Sequence, residues 1–477
     1  MQIRSSDLEI PTDDPFENDC LGRRELEPPL TQFVTQAVGP FVLAIDGSWG
    51  SGKTTFLKMW QVKLDKAGHL CLYLNAWKTD FVQDPLVAVV GELSIAIKGN
   101  PILDKDNVRK TIEKIEKTTR SIAKRLIPSG IKLLTLGALD IDSGMERESS
   151  VAAGVIAENL IQDYGKGKSE IQEFREDIEF LAAEMKKSEN DFVKIVIIID
   201  ELDRCRPTYA VQLLERIKHL FDVEGVVFIL GIDRYQLSHS IKALYGSEFD
   251  ATGYLKRFID LDYRLPEPSL GCYCSSLFEK FEINSLLLRR QSANNNGSVH
   301  DLNDFKHYLG YLISSAKMSL RDQEQMISRL RIVLQTIPTH QNSFPVTLSI
   351  LLFLRNYSDP EIYTSVMRGN LTAKAFLDFV EALPNEKAAF QSFSDLSRNT
   401  NYSRFFKEMI EGVFLAGLNE LLNTRCPEME EYIHTLNSSN NPNYKVQQIL
   451  EIANQNQGAG FRRTEQRLNL TSNFERY

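Results

Sequence analysis

No stretch of the chain approaches the ~20 consecutive uncharged apolar residues that a helix needs to cross a bilayer. The most apolar run, Ile127 to Leu139, is broken by Pro128, Gly130 and Lys132. The start, MQIRSSDLEIPTDDPFEND, is polar and acidic and lacks the apolar segment of a secretory signal. Six cysteines are scattered through 477 residues, at 20, 71, 205, 272, 274 and 426, with no CxxC pair. Neither a disulfide framework nor a cysteine zinc site is expected. Positive charge is not in excess: 55 Lys and Arg stand against 64 Asp and Glu, for a formal net charge of -9. Without a global basic field, any nucleic-acid contact must come from a local patch. No internal repeat is visible. These absences lead to the expectation of a cytoplasmic protein without a transmembrane segment.

What is present is an ordinary globular composition, 43% hydrophobic and 25% charged, able to bury a large core. Buried-strand runs occur at Phe41–Ile45 (FVLAI), Leu70–Leu74 (LCLYL), Val193–Ile199 (VKIVIII) and Val226–Ile232, with a fifth candidate at Ile259–Leu265. Helical patterns lie between them. One starts at Thr55 and is stopped by Gly68; another fits Thr208–Phe221, with Val211, Leu214, Ile217 and Phe221 on one face. Strands alternating with helices predict a parallel sheet covered on both sides. After Pro266 and Pro268 the strand signals stop and the chain reads as helices joined by polar loops.

Between the first strand and its helix stands Gly47-Ser48-Trp49-Gly50-Ser51-Gly52-Lys53-Thr54, a full GxxxxGK[ST] match in the right context. Its glycines let the backbone curl so that successive N–H groups can face phosphate oxygens. The helix N-terminus, entered through Thr54 and Thr55, adds positive potential. Lys53 is placed to reach the β- and γ-phosphates and the Thr54 hydroxyl to ligate magnesium. The predicted ligand is a nucleoside triphosphate with Mg2+, with ATP the first choice. The third strand ends in Asp200-Glu201. An apolar strand of this kind delivers a carboxylate to the metal shell at the carboxyl edge of the sheet. Asp200 is therefore the candidate metal residue and Glu201 the candidate base for the attacking water. Asp203 and Arg204 follow, either as a structural pair or with Asp203 as a second acidic group near the metal.

Several segments taken in order resemble the KAP family of P-loop ATPases. They are Asp14-Pro15-Phe16 with Asn18-Asp19 and Leu21-Gly22-Arg23; Trp49-Gly50 in the phosphate loop; Asn75-Ala76-Trp77; Asp200-Glu201-Leu202-Asp203-Arg204-Cys205; Tyr254-Leu255-Lys256-Arg257-Phe258 before Leu265-Pro266; and Ser319-Leu320-Arg321-Asp322. The resemblance implies an additional-strand P-loop fold of order 5-1-4-3-2 and a role as a molecular switch or assembly ATPase. The family includes bacterial proteins linked to phage exclusion and animal membrane-associated scaffolds. Two departures stand out. The family usually has Asp-Asp where this chain has Asp200-Glu201, which favours hydrolysis. Many members carry membrane helices between the phosphate loop and the acidic strand, where this chain has a helical insertion without a span. The expected organisation is an arm over 1–40, a nucleotidase core over 41–85 and 191–268, a helical insertion over 86–190, a helical domain over 269–454 and a polar tail over 455–477.

Other residues have two readings each. Asp233 either senses the γ-phosphate or caps the next helix. Arg257 is either a finger acting on a neighbouring subunit or a surface or ion-paired charge. Arg321 is a candidate sensor arginine. Arg23, with Pro15 and Phe16, is a candidate shelf for the base. Trp77 reads as core before site. Val108–Leu126 is basic and amphipathic, with a stripe of Val108, Ile112, Ile115, Ile122 and Leu126; a solvated face is its simplest use, against a membrane surface, nucleic acid or an acidic partner. Three functions compete. The first is an ATPase switch in anti-phage defence, working as a homo-oligomer with a partner protein. The others are a poorly hydrolysing scaffold and a nucleic-acid-stimulated ATPase.

Overall fold

A computed structural model describes residues 10–396, apart from 38, 101–102, 104, 127–147, 186–192, 267–269, 294–300, 339–342, 344, 358–359 and 369–371. The apolar run at 127–139 and the polar tail lie outside the described residues. The chain forms two compact units, the first spanning Ile10–Glu267 and the second containing the described residues after Pro268.

The first unit runs through α1 (Glu27–Gln36), β1 (Phe41–Asp46), α2 (Lys53–Lys66), β2 (Leu70–Asn75), α3 (Ala76–Thr79), α4 (Pro85–Lys98), α5 (Asp106–Leu126) and α6 (Glu148–Glu184). It continues through β3 (Ile195–Asp200), α7 (Pro207–Leu220), β4 (Val226–Ile232), α8 (Arg234–Tyr245), α9 (Ala251–Leu255) and β5 (Leu261–Arg264). The strands form a parallel sheet of order β2-β3-β4-β1-β5, the order 5-1-4-3-2 that the resemblance implies. β3 starts at Ile195, two residues later than its apolar pattern, and β5 is shorter than its candidate segment.

A parallel sheet buried on both faces uses continuous apolar strands, and successive side chains then serve opposite layers. In β3, Ile195, Ile197 and Ile199 enter one core while Val196 and Ile198 enter the other. The second of these cores holds Phe56, Leu57 and Trp60 of α2 with Leu30 and Val34 of α1. The first holds α4, α7 and α8. Trp60 is fully buried, stacks on Phe56 at 5.6 Å and donates its indole N–H to Thr31 at 2.8 Å. Its truncation to alanine would cost about 3–5 kcal/mol.

The apolar stripe of α5 is covered. Val108, Ile112, Ile115 and Ile122 belong to the same core as α4 and the described part of α6. Lys105 and Lys114 pair with Glu184 and Asp177 of α6, and Glu116 accepts from Ser94 and Lys98 of α4. These four residues of the stripe are thus core and are not free to enter a membrane surface.

The second unit is helical among its described residues, from α10 (Leu270–Lys280) through α11 (Ile283–Ala293), α12 (Asp301–Ser315), α13 (Leu320–Thr336), α14 (Pro345–Asn356), α15 (Pro360–Met367) and α16 (Ala373–Glu381) to α17 (Glu386–Leu396). Its core is built on Phe278, Phe305, Leu330, Phe353 and Phe376.

Candidate functional site

All five strands are parallel, so their carboxyl ends share one edge. Register makes that edge a site: Asn75 lies beside Asp200, Asp200 beside Gly231, and Gly231 beside Ile45. The phosphate loop leaves the edge after β1, and β4 separates it from the acidic strand. The loop's first N–H, from Gly47, returns to the Ile232 carbonyl at 3.1 Å. Gly50 and Gly52 take φ of 74° and 86°, conformations open to glycine at little cost. A Cβ at Gly47 would stand 2.8 Å from Ser51 Oγ.

Lys53 is buried. Its ammonium donates to the carbonyls of Gly47 and Ser48 of its own loop. Burial lowers its pKa, and the carboxylates of Asp203, Asp233, Asp200 and Asp46 partly offset that. Asp200 is 1% exposed, accepts from the Tyr73 hydroxyl at 2.7 Å and has the Thr54 hydroxyl beside it. Burial raises its pKa, and the two hydroxyls work against the rise. Burial and the neighbouring Asp200 push the Tyr73 phenol well above its ordinary value. A hydroxyl and a carboxylate brought together beside a buried ammonium are hard oxygen donors suited to magnesium. The Ser51 hydroxyl and Arg23 Nε are buried there without a hydrogen-bond partner. The donor set, the glycine cradle and these two unused polar groups fit a magnesium triphosphate.

Glu201 takes the left-handed conformation at φ 61° and opens a short 3-10 turn. Its two carboxylate oxygens have different partners: Oε2 accepts from Asn75 Nδ2 at 2.8 Å, and Oε1 forms an ion pair with Arg204 Nη1 at 3.0 Å. Asp203 accepts the Trp49 indole N–H and, at 3.1 Å, the Asp233 backbone N–H. Asp233 accepts the Trp49 backbone N–H at 3.2 Å and also caps α8 through the Gln236 N–H. Asp233 is therefore a helix cap that reaches the phosphate loop as well. Arg23, 2% exposed, donates to the Ser51 carbonyl at 3.2 Å, and burial lowers its pKa.

Two expectations are corrected. Trp77 is 55% exposed and lies over the Arg204 guanidinium, so the core assignment fails; a stacked cation gives the ring a place at the surface. Phe16 is 1% exposed and packs on Phe56, so it has no open face to offer a base. Arg257 follows α9 in an exposed turn, 6.0 Å from the Tyr254 ring. Arg321 is exposed in the first turn of α13, in the second unit. Tyr73 and Gly231 were missed. A lone glycine in the apolar run VVFILGI signals a close approach by another group.

A model of the KAP family P-loop domain matches residues 32–348, and the chain belongs to that family. It is similar to the phage T7 exclusion protein of Escherichia coli (strain K12), 22% identical over 258 residues. That match covers 48% of this chain and 30% of the relative, so the chain spans less than a third of the exclusion protein. An uncharacterized protein of Methanocaldococcus jannaschii is 26% identical over 181 residues, covering 34% of this chain and 90% of that one. Among solved structures, the Aeropyrum pernix ORC2 protein aligns with a TM-score of 0.35 and 13% identity, over 88% of this chain and 90% of that one. Cdc6p from Pyrobaculum aerophilum aligns with a TM-score of 0.35 and 12% identity, over 90% and 88%.

Proposed function

We propose that this KAP-family chain binds ATP with magnesium and hydrolyses it, and that turnover drives a change of partner or assembly in defence against phage. The observation that carries the reading is the meeting of Thr54, Asp200 and buried Lys53 at one sheet edge, with Glu201 next in sequence. Lys53 and the loop N–H groups would hold the β- and γ-phosphates, and Thr54 and Asp200 the metal. Magnesium supplies charge neutralisation at the phosphates. Glu201 would take a proton from water as the water oxygen bonds to the γ-phosphorus and the bond to the β,γ-bridging oxygen breaks. Asp233, tied to Trp49, suits a sensor of loop position. Arg23 is assigned to the nucleotide through the unused Nε beside Ser51. Arg257, exposed, is assigned as a finger reaching a second subunit, and Arg321 as a sensor arginine. The anti-phage role draws on the likeness to the exclusion protein.

A second reading, a scaffold that holds nucleotide and hydrolyses it poorly, is favoured by one observation: both Glu201 oxygens are already engaged. Two variants separate the readings. Lys53→Ala should abolish triphosphate binding by calorimetry, while Glu201→Gln should bind and turn over about 10²–10⁴-fold more slowly. Wild-type turnover no faster than that of Glu201→Gln would leave the scaffold reading standing.

A further inference from the structure

We propose that Arg204 is a positioning residue that holds Glu201 in a resting place, and that Trp49 and Trp77 make this hold respond to occupancy of the phosphate loop. The inference rests on the reading of Glu201 as the base.

Arg204 touches three segments of the site at once. Its Nη1 is 3.0 Å from Glu201 Oε1. Its guanidinium carbon lies 5.9 Å from the Trp49 ring centroid and 5.7 Å from that of Trp77. Trp49 belongs to the phosphate loop and Trp77 to α3, directly after β2. Both indoles are about half exposed, at 48% and 55%. Exposed tryptophans contribute little to a core, but as two walls around a planar cation they restrict its orientation. The carboxylates of the turn divide the work. Asp203 fastens the loop by accepting the Trp49 indole N–H, while Glu201 is held by Arg204 on one oxygen and Asn75 on the other. A carboxylate with one oxygen hydrogen-bonded and the other ion-paired is a poor acceptor for a water proton.

The same wiring supplies a release. The Trp49 backbone N–H is donated to Asp233, whose own N–H is donated to Asp203, so the loop and the acidic turn are joined through Asp233. A triphosphate bound in the loop brings several negative charges within reach of a guanidinium whose ion-pair partner is one carboxylate. Displacement of Trp49, or attraction of Arg204 toward phosphate, removes the ion-pair partner of Glu201 and frees it to face water. A diphosphate brings less charge and should leave the hold largely intact.

The test uses the full chain. Arg204→Ala should raise unstimulated kcat by roughly 3- to 10-fold, the release of a partly exposed, ring-stacked ion pair. Its Kd for a non-hydrolysable ATP analogue should stay near wild type. Intrinsic tryptophan emission of the wild type should change with that analogue and much less with ADP. The difference should shrink in Arg204→Ala. Should Arg204→Ala fail to fold, Trp77→Ala, a change at an exposed position, carries the same expectation with a smaller rise in kcat. A fall in kcat at unchanged Kd, or tryptophan emission indifferent to the analogue, overturns the proposal. Glu201→Gln separates the two failures. If it retains turnover, the base assignment is wrong and the hold loses its purpose. If it is inactive while Arg204→Ala is unaltered, only the hold is refuted.

Discussion

Gly231→Ala places one methyl group at the centre of the site. In an ordinary strand interior this exchange gains roughly 0.5–1 kcal/mol, because glycine pays more backbone entropy on folding. Here β4 is the middle strand, and Gly231 sits in register with Asp200 on one side and Ile45 on the other. A Cβ would stand 2.7 Å from Asp200 Oδ1 and closer still to Leu57 Cδ1. Leu57 is fully buried and cannot retreat into solvent. Overpacking of this kind costs about 1–3 kcal/mol, which exceeds the entropic gain. Each kcal/mol lowers the melting temperature by about 2–4 °C in a unit of this size, so a fall of several degrees is expected. The second effect is chemical. Asp200 Oδ1 accepts the Glu201 N–H at 2.9 Å, and the carboxylate also meets Thr54. Pushing it aside should cost roughly 10–100-fold in turnover, the scale of a misplacement near 1 Å. Calorimetric melting and a magnesium titration of phosphate release provide the assay. An unchanged melting temperature with an unchanged magnesium requirement would refute the packing argument and the place given to Asp200.

Tyr73→Phe removes a hydroxyl that lowers the Asp200 pKa, so that pKa should rise further. Metal binding needs the ionised carboxylate, and the acidic limb of the kcat/KM profile should therefore move to higher pH; a limb that stays or moves down contradicts the assignment. The sign for stability is the reverse. A carboxyl whose folded pKa is raised favours folding below its unfolded pKa, and that contribution is lost as pH rises through the folded pKa. In Glu201→Gln the new amide NH2 must face a donor, because Asn75 is fixed with Nδ2 inward by its Oδ1 cap on the Lys78 N–H at 2.9 Å and Arg204 can only donate. Denaturant unfolding should show a loss of about 1 kcal/mol beyond the lost turnover. Arg257→Ala should lower kcat more than nucleotide affinity, and mixing it with Glu201→Gln subunits should restore some activity. Concentration-independent turnover by a species that stays monomeric with ATP in light scattering would remove the finger.

The legible and illegible parts of this protein divide by sequence separation. The phosphate loop was readable because its chemistry lies within eight consecutive residues and both flanking elements announce themselves. The acidic strand end was readable for the same reason: five apolar β-branched residues lead directly into Asp200. Strand order came only through family resemblance, since β4 enters between β1 and β3 without any local mark. The second layer of the site was out of reach. Tyr73 meets Asp200 across 127 positions, Asn75 meets Glu201 across 126, and Trp49 meets Asp203 across 154. These contacts exist only once register has aligned the carboxyl ends of four strands. Trp77 shows why residue type alone misleads. A tryptophan after a strand is a reasonable core candidate by area. Yet the Arg204 beside it follows from the left-handed turn at Glu201, 124 positions away, which swings the turn back over the end of β2. A guanidinium on an exposed indole recovers part of what the ring forgoes outside the core. The residues proposed to bind phosphate are thus written locally in the chain, while those proposed to decide when it reacts are written in the pairing of its strands.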